Sequence, residues 1–417
     1  MVSRMKNGDT PQRLTHDTTQ YVILLILTLF IGWFLGIERV LVPAMANDIY
    51  HISSYLYILS FLAAFGFTKS VLNLVSGKIS DDIGRKKLLL IGWLVAIPVP
   101  FIFYFSTSWN MIVLANIGVG VNQAFAWTMT VTAGLDLSRS TSRGLTVGLN
   151  EAAGYIGQAT AGIITGYMAA SYGLRGASFL FGIVVVIVAI GTTALTIRET
   201  VGFTKSEELG INQAGSSVSF IKMFTDTSWS NRLLFSYSQA GLFEKFVDVV
   251  FWGLMPLYLL SLHFSLFTIA VLVGIYQITW GVVQIITGRL SDHIDRNVLI
   301  ITGFWIDSTA MVGFVFFHGI VIIALLSFLA GLGMAFLYPV LIAAVNDKVK
   351  PSERGTRLGI YRLWRDSGYG FGAIFVGILA SGLNVRDVFI GVASLMAISG
   401  GIVMVVCWIN HHKSLVP

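Results

Sequence analysis

Charge is what this chain has least of. Of its 417 residues only 12% are Asp, Glu, Lys or Arg, where a soluble domain carries about 25%. Hydrophobic residues make up 55% and mean hydropathy is +0.79, which excludes an ordinary soluble domain. Cysteine is nearly absent as well: the one copy, Cys407, lies in an apolar run, so an internal disulfide is excluded. No histidine falls deep in an apolar run. His51, His263 and His318 lie near run ends, and His16, His293, His411 and His412 in polar segments. No metal-ligand cluster, no G-x-x-x-x-G-K-[ST] phosphate loop and no nucleophile–base pairing is present, so the chain reads as no enzyme and as needing no cofactor. The first apolar run lacks a small-residue cleavage site and reads as a membrane helix, not a removable signal peptide.

What the chain does have is long apolar runs. Spanning about 30 Å of hydrocarbon takes roughly 20 helical residues. Twelve runs qualify, near 20–45, 54–76, 88–106, 110–133, 144–170, 176–197, 232–260, 265–287, 298–317, 320–345, 355–380 and 387–409. Without water to satisfy the backbone, such runs are expected to be helices. The net charge is +6, with 27 Lys and Arg. Five of these fall within the runs (Arg39, Lys69, Lys245, Arg362, Arg365) and two, Arg175 and Arg386, in loops on one side. The remaining 20 lie on the side of the N-terminus, so both termini are expected in the cytoplasm of a cell-membrane protein. Basic residues spread over separate loops, without interleaved aromatics, exclude nucleic acid as a partner.

The stretch Gly77-Lys78-Ile79-Ser80-Asp81-Asp82-Ile83-Gly84-Arg85-Lys86-Lys87 returns as Gly288-Arg289-Leu290-Ser291-Asp292-His293-Ile294-Asp295-Arg296, at an offset of 211. The same offset relates Gly120 to Gly331, Asp136 to Asp347, Arg143-Gly144 to Arg354-Gly355, Gly148 to Gly359, Gly157 to Gly368, Gly166 to Gly377 and Arg175 to Arg386. The chain is therefore a tandem duplication of six spans: residues 1–197 and 232–417, joined by a polar linker over 198–231. The linker carries Glu207-Glu208, Gly210 and Ser216-Ser217, and its Phe220-Ile221-Lys222-Met223-Phe224 reads as a short amphipathic helix on the membrane surface. The tail from His411 to Pro417 reads as solvent-exposed.

A loop of form G-x-x-x-D-x-x-G-R-[KR] between the second and third spans, repeated in the second half, resembles the signature of the major facilitator superfamily. The resemblance implies an all-α membrane protein of twelve helices in two pseudo-symmetric six-helix halves, working as a monomer. It also implies that Asp81 and Arg85, with Asp292 and Arg296 as weaker copies, form a latch at the cytoplasmic face. The alternative for these residues is a well-capped turn, and for Arg85-Lys86-Lys87 a topology anchor. Gly77 and Gly288 are expected to let a helix end pass close to its neighbour, and Asp81 and Asp292 to cap the following helix. Asp82 and His293 stand where the family usually has Arg, Asp295 replaces the second-half glycine, and Asn116 holds a position where many proton-coupled members have Arg.

Each charge at bilayer depth costs at least about 2.5–3.5 kcal/mol, which makes it a functional candidate. Glu38 and Arg39 lie on the first span, and adjacent helical residues are not expected to face each other. Glu244 and Asp248 on the seventh are one turn apart, an arrangement in which one carboxyl can keep its proton, while Lys245 between them can pair instead. Arg362, Arg365 and Asp366 lie on the eleventh, with an Arg362–Asp366 bridge expected from their spacing. Glu151 is the repeat counterpart of Arg362. Lys69 is at similar depth, so a Lys69–Asp366 gate between halves is expected, and Asp307 is expected in a static pair. For the other charges too, static helix–helix pairing is the bland alternative.

Proton coupling is assigned to Glu38, Glu244 and Asp248, with Glu151 next. The expected cavity residues are Arg39, Asn122, Gln123, Trp127, Gln239, Tyr276, Gln277, Trp280, Arg362 and Arg365. Gln158, Gln284, Trp364 and Tyr369 are further polar or aromatic candidates, and for all of these helix packing is the alternative. The functional expectation is secondary transport of a small molecule by alternating access. Proton-coupled export of a lipophilic or cationic compound suits the carboxylates; uptake or exchange of an organic anion suits Arg39, Arg362 and Arg365. The resemblance leans to drug–proton antiporters, although the fifth span has Gly154, Gly157, Gly162 and Gly166 without their proline. A receptor or channel on the same fold is the rival.

Overall fold

The computed structural model describes residues 18–138, 143–201, 218–350 and 353–415. His16 and the linker residues Glu207-Glu208, Gly210 and Ser216-Ser217 lie outside the described residues, as do the side chains of the tail from His411. Twelve helices cross the molecule: α1 Thr18–Asp48, α2 Tyr55–Ile83, α3 Arg85–Phe105, α4 Trp109–Asp136, α5 143–172, α6 174–196, α7 232–261, α8 Leu266–Leu290, α9 Arg296–Phe316, α10 Ile320–Asp347, α11 Arg354–Gly382 and α12 Val385–Leu415. Among the described residues, nine apolar stretches are long enough to cross a membrane; one of them is α5 and α6 together. The charge-bearing α7 and α11 complete the twelve, and no strand occurs among the described residues.

Local chemistry explains the boundaries. α5 and α6 meet at Gly173, the single non-helical residue between them, at φ +67 where an L side chain is strained. Ser265 caps α8 through a bond from Thr268 N, and Asn231 caps α7 through bonds from Leu233 N and Leu234 N. Wide π turns interrupt α4 at Gln123–Trp127 and α7 at Val250–Leu254, where sequence periodicity gives no warning. The expected linker helix forms as Phe220–Thr225. It leads into a turn docked on α11, with Asp226 3.2 Å from Arg357 and Ser228 accepting from Trp364 Nε1 at 2.8 Å.

The duplication is visible in the packing. A side chain on Gly157 would strike the Leu29 carbonyl of α1, and one on its repeat partner Gly368 the Leu242 carbonyl of α7. A side chain on Gly120 would crowd the carbonyl of Phe65, and on Gly331 that of Tyr276, again 211 residues apart. Gly77 and Gly288 correct an expectation: a side chain on either would meet nothing within 4 Å. Close approach between helices falls at Gly120, Gly157, Gly331 and Gly368 instead.

Between the halves, α2 runs along α11 and α5 along α8. These contacts are tightest toward the face of the α1–α2 connection, where Gly253 fits against Leu59 and Leu62, and a Cβ on Gly377 would lie 2.7 Å from Leu56. Toward the face where α1 begins and α12 ends they loosen. Cβ atoms on Gly148 and Gly359 would sit 3.8 and 3.7 Å from α8 and α2, and those on Gly144 and Gly355 would touch nothing.

Candidate functional site

Between the halves lies a narrow cavity of about 30 Å³. Its polar lining comes from Lys69 and Asn73 on α2, Gln123 and Thr128 on α4, Glu151 and Gln158 on α5, and Arg362, Arg365 and Asp366 on α11. Trp127, Tyr155, Trp252, Tyr338 and Tyr369 supply aromatic walls. Asp366 is fully engaged. Arg365 donates to it from Nε at 2.8 Å and from Nη2 at 3.0 Å, and Asn73 Nδ2 donates at 2.5 Å. Asn73 in turn accepts from Thr128 at 3.1 Å, so one chain of hydrogen bonds runs from α4 through α2 to α11, across the halves. Arg365 Nη1 has no partner although the residue is 4% exposed. Glu151 accepts from Trp127 Nε1 at 2.9 Å, and its other oxygen is unpartnered. Lys69 meets the rings of Phe65, Trp127 and Tyr369 at 5.4–5.9 Å and forms no ion pair.

Two expected bridges are therefore corrected. Asp366 pairs with its neighbour Arg365 rather than with Arg362, because the long arginine side chain can curl back to the short aspartate beside it. Lys69 does not reach Asp366; Asn73, one turn further along α2, makes that contact.

Several residues expected in the cavity lie behind its wall. Glu38 and Arg39 point to each other, 3.2 Å apart and fully buried, against the expectation for neighbours on a helix. The Arg39 guanidinium fills the gap between the rings of Phe65 at 4.7 Å and Trp252 at 4.1 Å. Lys245 holds Glu244 at 3.2 Å and Asp248 at 3.1 Å, and Tyr276 donates to Asp248 at 2.5 Å. Trp280 stacks on Tyr155 at 3.8 Å, and its ring lies 4.6 Å from Lys245. Asn122 donates to the Gly92 carbonyl, Gln239 ties α7 to Ser399 of α12, and Gln277 reaches Gln158 at 3.4 Å. Asp307 is no static pair: neither oxygen has a hydrogen-bond partner at 0% exposure.

At the face where α1 begins, the repeated stretch is helical as far as Ile83 and Leu290. Arg85 pairs with Asp81 at 2.5 Å and reaches Asp136 at 3.4 Å; Arg296 lies 3.6 Å from Asp292 and 2.8 Å from Asp347. Each cluster is internal to one half. Asp81 and Asp292 do not cap the next helix, which corrects that expectation. Glu199, beyond α6, accepts from Arg85 N at 2.8 Å and Lys86 N at 3.2 Å, and it occupies the place a Cβ on Gly84 (φ +102) would take. In the second half Asp295 caps α9 itself, accepting from Asn297 N at 2.7 Å.

Comparison with known proteins decides the family. The profile described as Major Facilitator Superfamily matches residues 22–304 and, from a second start, 233–417. The chain belongs to the Major Facilitator Superfamily. Among curated relatives, "Multidrug resistance protein 2" of Bacillus subtilis (strain 168) is 26% identical over 410 residues, 92% of this chain and 94% of its own. The fold is shared with solved transporters. The nucleoside transporter NupG superposes at a TM-score of 0.72 with 14% identity, over 93% of this chain and 98% of its own. A D-xylose-proton symporter also gives 0.72 with 14% identity, over 93% and 97%.

As a superfamily transporter the chain shows departures that sequence reasoning noted without explaining. Asp295 stands at the second-half glycine position and caps α9 from there, while the repeat counterpart of Glu199 is Asn410. Glu199 and Asn73 were missed outright. Their signals were present, a Glu just past an apolar run and an Asn one turn from Lys69, but neither type stands out without the fold.

Proposed function

We propose that this superfamily member carries an amphipathic organic anion through the central cavity by alternating access, driven by a proton gradient. The halves 1–197 and 232–417, joined by 198–231, rock about that cavity in a monomer. Both termini face the cytoplasm of the cell membrane, in keeping with the basic residues gathered on that side. One observation supports the substrate class: of the charges lining the cavity, Arg365 and Asp366 neutralise each other, which leaves Lys69 and Arg362 against Glu151. Glu38, Glu244 and Asp248, the carboxylates that would draw a cation, do not line it. Guanidinium and ammonium groups with unfilled donors suit a carboxylate or phosphate, and the aromatic walls suit an apolar body.

Export of a lipophilic cation is the second reading, supported by the multidrug resistance protein among the relatives and by the unpartnered Glu151 oxygen. Thermal unfolding of the purified protein separates the two. Aryl carboxylates are expected to raise Tm, and Arg362→Ala to weaken that effect roughly 10–100-fold, the value of one charged hydrogen bond at about 1.5–3 kcal/mol. Stabilisation by a tetraphenylphosphonium cation instead, lost in Glu151→Gln, would overturn the anion reading.

A further inference from the structure

Behind the cavity wall, the core of the second half holds a group of charges that the substrate path does not use. Glu244, Lys245 and Asp248 on α7 and Asp307 on α9 are each 0% exposed. With all four ionised the group carries three negative charges and one positive. Uncompensated charge of that size is not sustained in a low-dielectric interior. No set of three His, Cys, Asp or Glu placed to hold a metal ion occurs among the described residues. The duplication sharpens the point. The repeat counterparts of Glu244, Asp248 and Asp307 are Trp33, Ile37 and Ala96, so the same fold is built in the first half with apolar groups at these places.

The donors divide the three carboxyls. Asp248 takes Tyr276 Oη at 2.5 Å and Lys245 Nζ at 3.1 Å, which suits a carboxylate. Glu244 has Lys245 Nζ at 3.2 Å from one oxygen but no aligned hydrogen bond at either, and Asp307 has none at all. Gly333 on α10 leaves the space that the Asp307 carboxyl fills. Tyr361 on α11 is a fully buried hydroxyl without a partner, within electrostatic reach of Glu244, as is Arg365. Asp307 feels the charges of Glu244, Asp248 and Lys245.

We propose that Glu244 and Asp307 form a two-proton store, separate from the substrate cavity and linked to it through Lys245. Each carboxylate takes one proton from water on loading and returns it on release, and no other bond changes. Protonation brings the group from −2 to neutral, leaving the Lys245–Asp248 pair. Lys245 Nζ is 4.6 Å from the Trp280 ring and 4.7 Å from that of Tyr338, which lines the cavity. A charge entering the cavity therefore acts on Lys245 across one aromatic layer. This deepens the proton-driven reading given above and rests on it.

The test reads protons directly, without a substrate. Infrared spectra of the full-length protein in lipid report protonated carboxyls by their C=O stretch, titrated with pH at fixed ionic strength. Asp307→Asn and Glu244→Gln are each expected to remove one pH-dependent band, the double variant both, and Asp307→Glu to shift its band without losing it. If Asp307→Asn keeps every wild-type band, the store is overturned. Replacing choline with sodium at constant pH should leave the bands in place; bands lost to sodium would make this a metal-cation site. If the bands behave as expected but no solute accumulates on a pH gradient in liposomes, the transport reading fails instead.

Discussion

The carboxylates that close the starts of α3 and α9 come from different places. Glu199 reaches back from beyond α6 to Arg85 N and Lys86 N and also accepts from Thr200 N and Val201 N, whereas Asp295 serves α9 from the cap position itself. Removing either is expected to cost about 1–2 kcal/mol, the upper part of the range for N-cap loss. Denaturant unfolding of Glu199→Ala and Asp295→Ala would measure this; unchanged midpoints would show that water caps these helices equally well. The two residues also mark how far single positions could be read. Asp295 was legible as a departure from the repeat. Glu199 was not, because its role depends on where α6 ends relative to α3, a distance no local pattern encodes. Arg39 and Asp307 misled for a related reason: depth along a helix follows from counting residues, but the direction a side chain takes follows from neighbours.

At the scale of helices, hydrophobic run length was a good guide, and the expected 265–287 and 320–345 became Leu266–Leu290 and Ile320–Asp347. The helices overrun the apolar stretches at the face where α1 begins, since polar turns such as Gly77–Ile83 stay helical once they leave the lipid. The glycines divide by what they touch. Gly157→Ala and Gly368→Ala force backbone apart, and each is expected to destabilise by several kcal/mol, beyond the ordinary 0.5–3 kcal/mol of single substitutions. Gly77→Ala and Gly288→Ala meet open space and are expected to be neutral or slightly stabilising, since alanine favours helix by up to about 1 kcal/mol. Thermal unfolding of the four variants checks this. Equal losses in both pairs would contradict the packing described here.

For the whole molecule, the duplication made two halves legible, but not which residues join them. The Asn73–Asp366 bond crosses between halves, and Lys69 does not share in it. Spin labels at Asp82→Cys and His293→Cys, with Cys407→Ser removing the sole native thiol, would report the separation of the halves. Alternating access predicts two distance populations. Asp366→Asn is expected to change their ratio about tenfold, corresponding to about 1.4 kcal/mol, while Lys69→Ala changes it less. A single narrow distribution in every variant would rule out the rocking motion.

Arg39 has a mechanical consequence. Its guanidinium lies between Phe65, from the first half, and Trp252, from the second, and both contacts are to ring faces. A hydrogen bond at that place would fix one register, whereas a flat cation between two flat rings tolerates sliding and tilt at small cost. If the halves rock as proposed, this layer would act as a lubricated bearing, holding them together near their closed end while leaving them free to turn.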